Sequence, residues 1–298
     1  MSRLLRPTSS LLCRLQPSPI RSLATVSAPR LPADLSISSK VILITGGGRG
    51  LGLTQGEALA AAGATVYALD VHSAAPTEFT RAASLLPAGG GQLHYLPLDV
   101  RDNLALTAAV RGVADAEGRI DGLIAAAGVL EEVDALRCTK EQFDRIMGIN
   151  VTGVFLSAQA CAREMVRLAE QRGEEKAGGS IVLVASMSGV VANRGVPMAA
   201  YNTSKSAVHQ LSRNLAAEWG VPHGIRVNTL SPGYIATKMV ENLFERYPER
   251  RQLWSQQNML GRISSPDEYK GVAVFLMSEA SSFMTGADLM VDGGHRAW

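Results

Sequence analysis

Val41-Ile42-Leu43-Ile44-Thr45-Gly46-Gly47-Gly48-Arg49-Gly50-Leu51-Gly52 is the stretch whose reading decides the fold. Four apolar residues in succession suit a strand buried on both faces. The glycines mark a tight turn, and a helical apolar pattern resumes over residues 51–62. Gly46, Gly50 and Gly52 fall in the pattern T-G-x-x-x-G-x-G. Such a turn lets backbone approach a pyrophosphate, which then meets the positive end of the following helix. A Gly-rich turn alone is weak evidence. This one follows a strand, opens a helix, and is followed 24 residues after Gly46 by Asp70 at the end of the next strand-like segment. A carboxylate there can accept hydrogen bonds from both hydroxyls of an adenosine ribose. It would repel a ribose 2′-phosphate, so NAD(H) is expected over NADP(H). Arg49 argues the other way, since a basic side chain beside the second glycine can contact that phosphate. It can also swing into solvent.

Outward from this turn the chain alternates strand-like and helix-like segments. The strand candidates are KVILITG, ATVYALDV, LHYLPLDV, GLIAAAG, SIVLVAS, IRVNTLS and DLMVDGG. Helical patterns occupy residues 51–62, 103–117, 140–170 and 201–219. This order predicts an α/β fold: a single Rossmann-type domain over residues 38–298, with a doubly wound parallel sheet of about seven strands and helices on both faces. The polar stretch Gln171–Gly179 reads as a surface loop. Asp99, in Pro97-Leu98-Asp99-Val100, reads as the end of the third strand, placed near the adenine.

The 298 residues are 46% hydrophobic and 19% charged, with no compositional break marking a second domain. No run of 18 apolar residues suggests a membrane span. Cys13, Cys138 and Cys161 lack metal-ligand spacing, so no metal site is expected, and a reducing compartment fits. The net charge of +2 gives no hint of a nucleic-acid partner. It is unevenly placed: residues 1–33 hold Arg3, Arg6, Arg14, Arg21 and Arg30 and no acid. Arg-rich, Ser-rich and acid-free is the pattern of a mitochondrial transit peptide. The expectation is a transit peptide over 1–23, a linker over 24–37 and a matrix location. Cutting after Leu23 leaves 25 basic against 27 acidic residues.

Tyr201 and Lys205 stand four apart in AAYNTSKSAVHQLSRNLAAEW, a segment with apolar residues at helical spacing. They therefore share one helix face. A positive charge beside a phenol favours phenolate and lowers its pKa from about 10. The hydroxyl could then exchange a proton with a substrate oxygen. The spacing alone is common on solvated helices.

Together these motifs resemble the short-chain dehydrogenase/reductase family over residues 38–298. The resemblance rests on the 45–52 turn, Leu98-Asp99-Val100, Ala126-Ala127-Gly128, Asn150, Ser186, Tyr201 with Lys205, Pro232-Gly233 and Val291-Asp292-Gly293-Gly294. It implies hydride transfer between nicotinamide C4 and a carbinol or carbonyl carbon. Tyr201 would be the acid/base, and Lys205 would tune it and bind the nicotinamide ribose. Ser186 would hold the substrate oxygen, with Ser188 as a rival. Asn150 would bend its helix and hold a water in a proton relay, or else simply satisfy backbone. The implied dinucleotide contacts are Gly46, Arg49, Gly50, Leu51, Gly52, Asp70, Asp99, Val100, Ala126, Gly128, Tyr201 and Lys205, with Ile235 and Thr237 around the nicotinamide amide. One departure stands out. The family's Asn-Asn-Ala-Gly is Ala125-Ala126-Ala127-Gly128 here, which removes two polar side chains near the cofactor.

Specificity is expected in residues 187–200 and 234–262. The second window carries Met239, Leu243, Phe244, Tyr247 and Trp254 at spacings that suit a pair of lid helices. The C-terminal half looks most like fungal arabinitol, mannitol or sorbitol dehydrogenases. A small polyol or ketose with NAD is the first expectation, and a 3-oxoacyl carrier-protein reductase the alternative. The resemblance also implies a homotetramer.

Overall fold

The computed structural model describes residues Ala33–Trp298; the transit-peptide segment, most of the linker and Cys13 lie outside the described residues. From the fold-deciding stretch, β1 (Val41–Thr45) passes through the glycine turn into α1 (Gly50–Ala61). There follow β2 (Thr65–Asp70), α2 (Thr77–Ser84), β3 (Gln92–Pro97), α3 (Asn103–Glu117) and β4 (Gly122–Ala125). The second half runs α4 (Lys140–Met147), α5 (Val154–Arg172), β5 (Ser180–Val184), α6 (Ala199–His223) and β6 (Arg226–Pro232). It closes with α7 (Lys238–Arg246), α8 (Glu249–Ser255), α9 (Lys270–Met277) and β7 (Asp288–Val291).

The seven strands form one parallel sheet in the order β3-β2-β1-β4-β5-β6-β7. Every residue of β1, β4 and β5 is buried, as their apolar runs require. Alternate residues feed opposite faces: Val41 and Leu43 pack with α3 and α5, while Ile42 and Ile44 pack towards α1 and α9. The edge strand β3 is only half buried. Strand order reverses between β1 and β4. At such a switch point the flanking loops diverge and leave a crevice at the carboxyl ends of the strands.

The helix expected over 140–170 runs without a gap to Arg172 and widens at Asn150, where the family resemblance implied a bend. Gly148–Gly153 form a π-helical turn between α4 and α5, with Asn150 inside it. A wider turn of this kind is an insertion in an α-helix and commonly falls at functional sites. Asp99 is also displaced from its expected place: β3 ends at Pro97, the last bond to β2 is Leu98 N to Asp70 O at 2.7 Å, and Asp99 lies in the loop beyond. The expected lid helices are present as α7 and α8.

Candidate active site

The segments after six successive strands bring the expected residues to the carboxyl end of the sheet. The turn after β1 is tight enough to exclude side chains. A Cβ on Gly52 would stand 2.3 Å from the Gly46 carbonyl oxygen, and one on Gly46 would stand 2.7 Å from the Ala127 nitrogen. Gly46 also has φ +70°. At the start of α1, Arg49 makes no side-chain cap, so the first amides are left for an anion. This backbone cradle fits a dinucleotide pyrophosphate.

A cleft of about 980 Å³ opens beside it. Among the residues expected to hold the dinucleotide, Gly46, Arg49, Gly50, Leu51, Gly52, Asp70, Asp99, Val100, Ala126, Gly128 and Thr237 line this cleft. Asp70 is buried, and its carboxylate accepts from Gly48 N (3.0 Å) and Val71 N (2.8 Å), which fixes its direction. Arg49 is exposed. Asp99 is gripped by Arg101, whose Nε lies 3.0 Å from both carboxylate oxygens. That hydrogen bonding holds the Asp99 carboxyl below its ordinary value.

Ile235 is buried rather than part of the cleft wall. Its neighbours bond Ser264 (Ala236 N to Ser264 O, Ser264 N to Tyr234 O), which turns Ile235's own amide the other way. Thr237 caps α7, its hydroxyl accepting from Val240 N at 3.4 Å. The hydroxyl proton stays available for a second contact.

Beyond Gly128 the cleft meets the acid/base residues. A Cβ on Gly128 would be 3.4 Å from Asn150 Oδ1 and 3.5 Å from Lys205 Nζ, so the three converge. Asn150 is fully buried. Its Oδ1 accepts from Val129 N (2.8 Å), and its Nδ2 donates to Val129 O (2.9 Å) and Ser204 Oγ (3.0 Å). The side chain thus ties the π-turn to the loop after β4 and to α6. Lys205 Nζ donates to Val184 O at 2.8 Å and lies 5.7 Å from the Tyr201 ring centre. Burial pulls its pKa down to about 8. Gly189, after β5, packs on α6 so closely that a Cβ would meet the Lys205 carbonyl carbon at 2.6 Å. This contact explains the spacing from Ser186 to a glycine.

Tyr201 corrects one expectation. Its phenol is not lowered; burial raises it, and the Ser186 hydroxyl beside it pulls the other way. Desolvation of the phenolate sets the direction; Lys205 is itself buried and already bonded to Val184 O. The same contact favours Ser186 over Ser188 as the phenol's partner. Ser188 instead donates its amide to Ser186 Oγ at 3.2 Å. One further turn along the same face, His209 Nε2 lies 2.8 Å from Ser231 Oγ, which donates to Asp288 at 2.6 Å. That buried network locks α6 against β6 and β7.

A phenol beside a serine hydroxyl and a buried ammonium can pass a proton to or from an oxygen held between them. The cleft alongside fits a dinucleotide. Residues 46–296 match the family model described as Enoyl-(Acyl carrier protein) reductase. A short chain dehydrogenase/reductase of Aspergillus versicolor is 40% identical over 267 residues, 88% of this chain and 89% of its own. The chain belongs to the short-chain dehydrogenase/reductase family. A galactitol 2-dehydrogenase (L-tagatose-forming) of Cereibacter sphaeroides is 40% identical over 255 residues, 86% of this chain and 94% of its own. A crystal structure from Beutenbergia cavernae, described as an NAD(P)-dependent gluconate 5-dehydrogenase with bound NADP, superposes with a TM-score of 0.78. It is 28% identical and covers 89% of this chain and all of its own. This short-chain dehydrogenase/reductase is therefore an NAD(P)-dependent oxidoreductase of secondary alcohols and ketones.

Several residues at the substrate side carried no motif. Asn193 Nδ2 donates to Tyr234 OH at 3.2 Å, and Asn202 Nδ2 donates to Asn193 Oδ1 at 3.1 Å. Tyr234 stacks on Trp254 with ring centres 4.2 Å apart. Asn193, Tyr234 and Trp254 fall inside the two windows expected to set specificity, and Asn202 adjoins Tyr201. Glu132 lies outside both windows. Phe244 and Trp254 are buried, so both lid helices contribute to packing.

Proposed function

We propose that this enzyme interconverts a small neutral polyol and its ketose with NAD(H). Tyr201 acts as the acid/base, Ser186 as the oxygen-holding group, and Lys205 and Asn150 complete the site. The bound nicotinamide supplies or accepts the hydride. The Tyr201 phenol gives its proton to the carbonyl oxygen in reduction and takes it from the hydroxyl in oxidation. Ser186 donates to the same oxygen as charge develops. Lys205 holds a positive charge against the phenol, and Asn150 keeps the loop after β4 at the depth that admits the nicotinamide end. Thr237, in the cleft wall, flanks that end.

The observation that carries the polyol reading is the Asn193–Asn202–Tyr234 cluster beside Tyr201. Asn193 and Tyr234 place hydrogen-bonding side chains on the two segments expected to set specificity, which suits a hydroxylated substrate better than an acyl chain. The likeness to a galactitol 2-dehydrogenase supports the same substrate class. NAD(H) rests on Asp70, whose fixed, buried carboxylate opposes a 2′-phosphate. The test is a panel of polyols and acyl-type ketones assayed with NAD(H) and NADP(H) separately. Turnover of acyl ketones alone would overturn the substrate class, and a preference for NADP(H) would overturn the role of Asp70. Tyr201→Phe should retain dinucleotide binding and lose about 10²–10⁴-fold in kcat.

The Arg-rich, acid-free residues 1–23 support delivery to the mitochondrial matrix, testable by sequencing the N-terminus of the protein isolated from mitochondria. The family resemblance supports a homotetramer, in which exposed Phe283 and Trp298 are candidates for burial between subunits. A monomeric mass in solution would contradict that.

A further inference from the structure

The loops over the substrate side close into a ring. Val133 N, after β4, donates to Pro197 O at 2.9 Å, which joins the β4 and β5 loops. Asn193 joins the β5 loop to Tyr234 after β6, and Tyr234 stacks on Trp254 of α8. Arg250, one turn before Trp254, has its guanidinium 5.9 Å from that indole and 4.5 Å from the Tyr247 ring. The ring closes where Arg250 Nη1 meets Glu132, beside Val133, at 2.8 and 2.9 Å to its two oxygens. Both side chains are about four-fifths buried, at 18% and 20% exposure, so solvent screens the pair little. The other charged groups here are differently placed: Arg194 is exposed, and Arg251 pairs with Glu241.

We propose that Glu132 is a specificity-determining residue that fastens α8 over the substrate mouth and cancels the charge of Arg250, so that neutral polyhydroxyl compounds are accepted and carboxylate-bearing sugars are disfavoured. Without Glu132, the guanidinium is a ready site for a carboxylate, for which its paired donors are the natural match. Both charges reach Tyr234: burial chiefly raises its phenol, Asn193 opposes that, and Glu132 and Arg250 act on it with opposite sign. This inference rests on the secondary-alcohol site described above and refines its substrate class.

The test is calorimetric binding of D-gluconate to the enzyme–NADH complex, compared with KM for galactitol. Glu132→Gln should bind gluconate about tenfold more tightly than wild type, the scale of one charge-assisted hydrogen bond in a partly buried site. The double variant Glu132→Gln/Arg250→Gln should lose that gain. Unchanged gluconate affinity in Glu132→Gln, or a gain that survives in the double variant, overturns the proposal. If Glu132→Gln does not fold, Arg250→Gln carries the test. It should weaken gluconate relative to galactitol, and an equal effect on both overturns the proposal. Gluconate binding is read without turnover, so absent galactitol oxidation in wild type would refute the polyol reading alone.

Discussion

Lys205→Met should make this protein more stable at neutral pH while removing its activity. Methionine keeps the unbranched apolar stem and removes the ammonium. In the wild type the buried ammonium has its pKa drawn from 10.5 to about 8, a fall that corresponds to roughly 3 kcal/mol of desolvation cost for the charged form. The substitution also removes the Lys205 Nζ donor from Val184 O, and an unpaired buried carbonyl costs about 1–3 kcal/mol. The difference leaves a gain of about 0–2 kcal/mol near pH 7, up to a few degrees in Tm.

The pH dependence identifies the cause. Below pH 8 the lysine is charged in both folded and unfolded chains, so the wild type bears the full cost. Between about 8 and 10.5 the folded lysine is neutral while the unfolded one binds a proton, and wild-type stability rises with pH relative to the variant. The advantage of Lys205→Met should therefore shrink through this window and reverse above it, where only the lost hydrogen bond remains. Urea unfolding of both proteins, followed by circular dichroism at equal protomer concentration, at about pH 7 and pH 10, reads the difference directly. A stability difference that is the same at both pH values would refute the reasoning.

Two further outcomes follow from the same kind of accounting. Gln55, on α1, is fully buried with both amide atoms unpartnered; Gln55→Met should stabilise the fold by about 1–3 kcal/mol in urea unfolding without changing kcat. The raised Tyr201 phenol stays protonated at neutral pH, so kcat/KM for ketone reduction should hold there and fall as the phenol ionises in alkali, while alcohol oxidation should climb over the same range. Parallel pH profiles in the two directions would contradict that assignment.

The parts of the molecule legible in the sequence are those whose chemistry needs a fixed local spacing. A pyrophosphate turn must bring glycines close within a few residues, and a phenol and an ammonium must share a helix face. Gly46, Gly52, Asp70, Tyr201 and Lys205 accordingly lie where their spacing puts them. What could not be read depends on burial or on distant partners. The raised Tyr201 phenol reflects desolvation, which no spacing encodes. The family resemblance implied a bend at Asn150, but not its tie to Val129, 21 residues away, on a loop whose course the sequence leaves open. Glu132 and Arg250 are 118 residues apart, and neither belongs to a motif.

The departure at Ala125-Ala126 shows the boundary between the two kinds of information. Read as sequence, it is a loss of polar side chains beside the cofactor. In the sheet, Thr45 stands in register with Ala125, and the Thr45 hydroxyl is buried without a partner. Leaving such a group unpaired costs about 1–3 kcal/mol. The backbone does not share in the loss: Ala126 N still donates to Thr45 O at 3.0 Å, and Ala126 still lines the dinucleotide cleft. The alanines therefore weaken a side-chain tie between the two central strands and leave the approach to the cofactor intact. The consequence belongs to stability at the switch point, where β1 and β4 part, more than to the chemistry at Tyr201.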